Sequence, residues 1–482
     1  MFKVNIRNLG QIFDSSLIFK PLTIIIGPNN SNKTYLAHTL YGLCEILENT
    51  YYDGTSLSKT AKSKKWNVVH SNNELSIEFN NAITKYLNDY LNKELNYFVK
   101  NLSNFFQDST QTLFSTTEIN VKFTDEQFLQ YLKLLSVKKY KIFFNYKKNH
   151  IDVDFKFSIK DYKINFKIYK TKYSTIFLDN NLLRKRLFYR LIERLFELLS
   201  SQAFPTPFLL PSERNTLIVS YKLLSNRRNK YQRSSRRRYL RGIERTKLDL
   251  LRELGEFSYP IPVENFIEFL DDIESSNIDL VKRNENYGNV ANLLESSLFE
   301  NSFTTFDKTK LGGREIRLFI KNKKFSIDLY NASSSIKQLT PLILYLKYKA
   351  KENDLLIIDE PEMNLHPSSL AKLLEIITLL VNMKLNVFLT THSPYLMSHL
   401  NNLVLGDLKN ENVLKRQSRY LYLKNKHSFI DKEKVSVYEM VKKNKYFNLL
   451  DLTNESSGFS WGSLSQLSSD INSKSYQIEL EK

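Results

Sequence analysis

Leu22-Thr23-Ile24-Ile25-Ile26-Gly27-Pro28-Asn29-Asn30-Ser31-Asn32-Lys33-Thr34 passes from an unbroken apolar run into a polar loop that closes on a lysine and a threonine. The apolar five have the length of a buried strand. From Lys33 onward Leu36, Leu40, Leu43 and Leu47 recur at helical spacing. Between strand and helix the loop fits G-x-x-x-x-G-K-[ST] at every fixed position except one, where Asn32 replaces glycine. In such a loop the backbone N–H groups from Gly27 through Asn29, Asn30, Ser31 and Asn32 and the helix N-terminus form an anion nest. Lys33 reaches the outer phosphates and Thr34 ligates Mg²⁺. Asparagine is the non-glycine residue most at ease with positive φ, so the loop keeps its shape. The competing reading is an eroded loop that binds nucleotide weakly or not at all.

Upstream, Phe2, Val4 and Ile6, then Leu17 and Phe19, alternate around Gly10 as a hairpin. Far downstream, Asp354-Leu355-Leu356-Ile357-Ile358-Asp359-Glu360 is a second buried strand, ending in two acids. Alone, the pair reads equally well as surface acids. Beside a phosphate loop it has the form of a Walker B site, with Asp359 holding Mg²⁺ and Glu360 polarising an attacking water.

The segments Glu360-Pro361-Glu362-Met363-Asn364-Leu365-His366-Pro367 and Thr390-Thr391-His392-Ser393-Pro394 resemble the ABC-type ATPase heads of the RecF, SMC and OLD group. Within it the chain is most similar to the AAA-type ATPases of bacterial anti-phage systems, such as the AriA component of PARIS and the PtuA component of Septu. The likeness covers residues 1–48 and about 205–440. It implies that His392, 33 residues beyond Asp359, is a switch histidine that senses the γ-phosphate. It also implies that Ala332-Ser333-Ser334-Ser335-Ile336-Lys337-Gln338-Leu339 is the signature segment capping the nucleotide of an opposing subunit. The family usually has glycine where Ser335 stands; the alternative is a serine helix cap with no contact across subunits. Phe208-Leu209-Leu210-Pro211-Ser212-Glu213-Arg214-Asn215 resembles a family segment that follows a core strand. This places Glu213 and Arg214 near the ATP site, an ordinary surface ion pair being the alternative.

Between Lys222 and Arg245 lie ten Lys or Arg and one acid, Glu244. Arg227, Arg228, Lys230, Arg233, Arg236, Arg237, Arg238 and Arg241 are candidates for phosphate contact, because arginine's planar fork suits phosphate. Lys230, Arg233, Arg237, Arg241 and Arg245 share a helical face that can track a nucleic-acid backbone. A solvated helix, or a dock for an acidic protein such as a phage product, is the alternative.

The whole chain has 482 residues and a formal charge of +19, which favours an anionic partner. Cys44 is its one cysteine, which excludes a disulfide framework and any multi-cysteine metal cluster. No apolar run reaches spanning length and the N-terminus lacks a signal-peptide pattern, so a cytoplasmic protein without membrane contact is expected. The one Asp-x-Asp pair, Asp152 and Asp154, lies in a predicted hairpin, and no Toprim or HNH nuclease constellation is present.

The fold expected is α/β: an ABC-type ATPase head with a mixed, largely parallel sheet, an N-terminal antiparallel portion and a long α+β insertion. The head divides into residues 1–48 and 301–450, with an insert at 49–205, a helical region with the basic segment at 206–300, and a partly disordered tail at 451–482. The resemblance implies slow hydrolysis of Mg-ATP between two heads of a homodimer or higher oligomer. It also implies a sensor or regulatory role in anti-phage defence, controlling a separate effector such as a nuclease. Two rivals stand beside it: a DNA repair or recombination ATPase, and a non-hydrolysing scaffold that sequesters a toxic partner.

Overall fold

The structure, a computed structural model, describes residues 2–48, 68–70, 74–78, 81–146, 149–160, 163–168, 181–224, 259–275, 285–308, 314–406, 408–453 and 458–459. The basic segment beyond Lys222, with Arg227, Arg228, Lys230, Arg233, Arg236, Arg237, Arg238 and Arg241, lies outside the described residues, as does most of the tail. The chain forms two compact units, one of residues 1–5, 43–99 and 119–206, the other of residues 6–42, 100–118 and 207–482.

The chain opens with β1 (Lys3–Leu9), β2 (Ile12–Ile18), β3 (Leu22–Ile26) and α1 (Lys33–Glu48). Gly10 adopts φ 57° in the two-residue connection between β1 and β2, a conformation that costs other residues strain. All five residues of β3 are buried, as an apolar run without alternation requires.

The first unit contains β4 (Val68–His70), β5 (Glu74–Glu78), α2 (Asn81–Lys100), β6 (Glu118–Lys122), α3 (Asp125–Leu135), β7 (Tyr140–Tyr146), β8 (Asn149–Lys160), β9 (Lys163–Ile168) and α4 (Asn181–Ala203). Five of its strands form an antiparallel sheet in the order β4-β5-β9-β8-β7. Ile159 pairs with Ile164 across the β8–β9 hairpin that strict alternation predicts. Asp154 pairs with Lys141 of the neighbouring strand at 3.8 Å, an ordinary sheet-surface ion pair. Helix α2 docks on β6 through two asparagines: Asn88 and Asn92 each donate to and accept from the backbone, at Phe123 and Val121 respectively. Phe2, Phe123 and Phe204 pack edge to face in the core of this unit.

The second unit continues with β10 (Pro207–Leu210), α5 (Ile261–Ser275), α6 (Glu285–Leu298), β11 (Ser302–Lys308), β12 (Arg314–Ile320), β13 (Phe325–Asp328) and α7 (Ser334–Tyr348). It closes with β14 (Leu355–Asp359), α8 (Pro367–Asn382), β15 (Asn386–Thr391), α9 (Pro394–Val404), α10 (Glu411–Gln417), β16 (Val435–Lys443) and β17 (Tyr446–Asp451). Its main sheet runs β10-β14-β15-β3-β16-β17-β2-β1. The first five strands are parallel, and β17 turns back antiparallel on β16. This is the mixed, mostly parallel α/β sheet that alternating strands and helices predict. In register, Asp359 lies beside Thr390 and Thr391 beside Ile26, so the carboxyl ends of β3, β14 and β15 meet at one edge.

Strands β16 and β17 are absent from the sequence reading, although β16 adds directly to β3. Ser436 and Glu439 interrupt its apolar pattern, yet both are buried, and Ser436 Oγ lies 3.1 Å from Thr23 Oγ1. Beside the main sheet, β11, β12 and β13 form a small antiparallel sheet, of which only the last two strands are legible as a hairpin.

One buried ion pair fixes α6 to α7. Lys347 donates to both oxygens of Glu295 at 2.9 and 2.8 Å, and Glu295 also accepts from the Thr304 amide. Glu295→Ala leaves a buried ammonium without its carboxylate, so stability is expected to fall by about 3–5 kcal/mol. Glu295→Ala with Lys347→Met is expected to recover most of that. Denaturant midpoints of the three proteins check this, and equal loss in single and double variants contradicts it.

Candidate active site

At the shared edge the loop between β3 and α1 folds tightly around its lysine. Lys33 Nζ donates to the carbonyls of Gly27 at 3.0 Å and Pro28 at 2.7 Å, and Ser31 Oγ donates to Pro28 O at 2.8 Å. A Cβ at Gly27 would sit 2.7 Å from Met440 Cβ, so β16 makes this position glycine-only. Asn30 and Asn32 have φ of 59° and 65°. Asn32 therefore takes the left-handed conformation that a glycine supplies in the usual loop, and its carbonyl accepts from Leu36 N to start α1. The replacement leaves the turn of the loop intact, which removes the main ground for reading it as eroded.

Thr34 Oγ1 donates to Asp359 Oδ2 at 2.8 Å, while the other carboxylate oxygen accepts from the Thr390 hydroxyl. Asp359 is fully buried. Thr34 and Asp359 thus put two hard oxygen donors side by side at the mouth of the loop. Mg²⁺ takes such a pair, filling its other positions with water and phosphate oxygens. The left-handed turns at Asn30 and Asn32, the buried Lys33 ammonium and this donor pair fit Mg-nucleotide.

Glu360 follows Asp359 directly with φ 48°, a strained value for a non-glycine residue. Its amide is held by Thr390, through the carbonyl at 3.2 Å and the hydroxyl at 3.1 Å. Burial first, then the charge of Asp359, raises the Glu360 pKa above the ordinary glutamate range. Burial lowers that of Lys33, against the pull of Glu360, Asp359 and Glu362.

His392 points at this acid pair: Nδ1 lies 3.2 Å from Glu362 Oε1 and 3.8 Å from Glu360 Oε1. Glu362 Oε1 also accepts from Thr391 Oγ1 at 2.8 Å and from His392 N at 2.7 Å. Glu362 is therefore the residue that holds the histidine turn to the acid-tipped strand. Sequence reasoning quoted it without giving it a role; its signal was the second acid of Glu360-Pro361-Glu362.

Arg214 corrects the surface-ion-pair alternative outright, because it is 2 % exposed. Its guanidinium donates to Pro211 O and Asp359 O, both at 2.8 Å, to Gln338 O at 3.2 Å and to Glu360 O at 3.3 Å. With the Gln338 amide oxygen turned toward it, that side chain accepts at 2.6 Å as well. Burial lowers the Arg214 pKa to about 10, so the group remains a cation at neutral pH. It ties the acid-bearing end of β14 to helix α7.

Ser333 caps α7 by accepting from Ile336 N, and Ser333 Oγ lies 3.0 Å from Ser335 Oγ. Ser333 and Ser334 are exposed, and among the described residues no hydrogen bond joins the three serines to the phosphate loop. The structure thus gathers Gly27 to Thr34, Asp359, Glu360 and His392 into one site, and Gln338 and Arg214 join the helix that the serines begin to it.

A loop shaped to cradle phosphate, with oxygen donors for a cation at its mouth, is the equipment of a P-loop ATPase. The chain belongs to the family of the AAA ATPase domain, whose model matches residues 1–397. No curated protein is similar enough in sequence to be matched. Among solved structures the chain is similar to an Smc head bound to the C-winged helix domain of ScpA, at 9 % identity over 93 % of this chain and 97 % of that one, TM-score 0.33. It is similar also to an Smc head with an extended coiled coil bound to the C-terminal domain of ScpA, from Pyrococcus furiosus, at 12 % identity over 98 % of both chains, TM-score 0.34. A third is the SMC head domain from Thermotoga maritima, at 10 % identity over 93 % and 97 %, TM-score 0.30. Among the described residues no helix is long and apolar enough to cross a membrane.

The Asn32 side chain rests against the β1–β2 turn, where a Cβ at Gly10 would lie 2.8 Å from Asn32 Nδ2. Gly10→Ala is expected to weaken nucleotide binding through this contact and through strain at φ 57°. Adding Asn32→Gly removes the clash and is expected to restore most of the affinity. Titration with a fluorescent nucleotide checks it; strictly additive losses in the double variant contradict the coupling.

Proposed function

We propose that the chain hydrolyses Mg-ATP slowly at this site, between two heads that each contribute a loop and a serine segment. The observation that carries the reading is the Asp359 carboxylate shared by Thr34 and Thr390 beside a strained, partly protonation-shifted Glu360. Bound Mg²⁺ neutralises charge on the phosphates and fixes their orientation. Backbone N–H groups of Asn29 through Asn32 and the Lys33 ammonium hold the phosphate oxygens. Thr34 and Asp359 would hold the cation, and Glu360, in its ionised form, orients water and takes its proton as the water oxygen bonds to the terminal phosphorus and ADP leaves. His392, fixed by Glu362, reports the presence of the terminal phosphate. Ser333 and Ser334, exposed at the start of α7, and the half-buried Ser335 beside them reach the nucleotide of a partner head.

The role in the cell follows from the likeness of the motifs to anti-phage ATPases: a sensor that controls a separate effector, with any cutting of nucleic acid done by that effector. Arg214 supports the switching part of this reading, since it joins the γ-phosphate end of β14 to the helix that faces the partner. Action as a repair ATPase directly on DNA uses the same site and differs in what stimulates it. Strong stimulation of turnover by DNA favours repair; indifference to DNA favours the sensor.

Lys33→Ala is expected to weaken nucleotide binding at least tenfold, the loss of a charge-assisted contact. Glu360→Gln is expected to keep binding and slow turnover by about 10²–10⁴-fold, the range for a lost general base. Phosphate release and nucleotide titration measure both, and unchanged turnover in either variant contradicts the assignment. Because the Glu360 pKa is raised, the base is protonated at a higher pH than a free glutamate. Turnover is therefore expected to fall as pH drops through a value above the ordinary carboxylate range, and a rate flat down to that range contradicts the role.

A further inference from the structure

Beside the start of α8 a cleft of about 720 Å³ opens between α9 and the turn that follows α10. Tyr395, Tyr420 and Tyr422 line it and are 62 %, 90 % and 54 % exposed. Single exposed rings are ordinary, but three in one cleft are not. The turn that carries two of them is rigidly held. Glu375, fully buried on α8, accepts from the Tyr422 amide at 2.9 Å and the Leu423 amide at 2.8 Å, and lies 3.0 Å from His399 Nε2. Leu421, between the two tyrosines, is anchored in the core. A buried carboxylate committed to a surface turn fixes the backbone that carries the rings before any ligand arrives, which lowers the entropy that binding must overcome.

Two of the rings are flanked by cations in Lys415-Arg416-Gln417-Ser418-Arg419-Tyr420-Leu421-Tyr422-Leu423-Lys424. Lys415, Arg416, Arg419 and Lys424 are exposed, and none is ion-paired among the described residues. Stacking rings that accept any base, set among cations that follow phosphates, match the chemistry of a single strand. A duplex hides its base faces, and an acidic polypeptide has nothing to stack. We propose that this cleft binds single-stranded nucleic acid, with bases on Tyr395, Tyr420 and Tyr422 and phosphates on the four cations. His366, also in the cleft, caps α8 at the end of the turn that leaves Glu360 and Glu362. A strand bound here touches the segment running directly from the ATP site. The inference goes beyond the ATPase reading and stands on separate residues.

The test uses the full chain without nucleotide and a fluorescently labelled single-stranded oligonucleotide of mixed sequence, read by anisotropy. Tyr420→Ala with Tyr422→Ala is expected to weaken binding by about tenfold or more, as loss of stacked bases does. The corresponding Phe pair is expected to retain it. Arg419→Ala is expected to reduce the slope of log affinity against log salt by about 0.7, the single-strand value per phosphate. Both tyrosines are exposed, so unchanged melting of the Ala pair confirms that folding is intact. The proposal is overturned by absence of binding in the natural protein, by equal affinity in the Ala pair, or by a duplex of the same sequence competing as well as the single strand. Displacement by polyglutamate with no effect of the tyrosine changes overturns it in favour of an acidic protein.

Discussion

The Asp359 carboxylate holds the active edge of this protein together. It is fully buried, and its two oxygens accept from hydroxyls on different elements: Thr34 at the start of α1 and Thr390 at the end of β15. An ionised carboxylate in the interior is tolerated only where its lone pairs are satisfied. The register of β14, β15 and β3 brings those hydroxyls to it, so the sheet order is a condition of the site rather than its background. On the proposed function, this carboxylate would also hold the cation together with Thr34.

From that centre the contacts run outward in two directions. Thr390 fixes the strained Glu360 backbone, and Glu362 pins the His392 turn, so Glu360 and His392 are held to the same strand ends. Arg214 reads the other side of the same strand end, taking the Asp359 and Glu360 carbonyls and passing to Gln338 on α7. The serines that begin α7 are thereby coupled to the phosphate end of the site without touching it. A buried guanidinium with several fixed acceptors is suited to that task, because small displacements break bonds rather than bend them.

Much of this was legible in the chain. Apolar runs such as Leu22–Ile26 and Leu355–Ile358 announce buried parallel strands, and the loop and acid motifs lie at their ends. The serine run quoted as a signature segment or helix cap does open a helix, Ser334–Tyr348, with Ser333 as its cap. What escaped did so for physical reasons. Strand β16 carries polar residues that are buried only because the sheet supplies partners for them, a tertiary fact with no local signature. Resemblance alone placed Arg214 near the site, with a surface ion pair as the alternative, since nothing nearby in sequence shows that the carbonyls of Gln338, Asp359 and Glu360 converge on it. The tyrosines of the Tyr420 turn were invisible as a group because Tyr395 reaches the same cleft from another helix. Asn32 shows the opposite case: the motif departs from its pattern, while the backbone conformation that the pattern encodes is kept.

The central claim is that nucleotide closes two of these heads on each other, with Ser334 set against the phosphates held by the partner's loop. The most direct measurement is the solution mass of Glu360→Gln by light scattering, with and without saturating Mg-ATP, alongside the same protein carrying Ser334→Arg. The account predicts that Mg-ATP at least doubles the mass of the first protein and leaves the second unchanged while both retain nucleotide. A Glu360→Gln protein that binds nucleotide and stays strictly monomeric contradicts it.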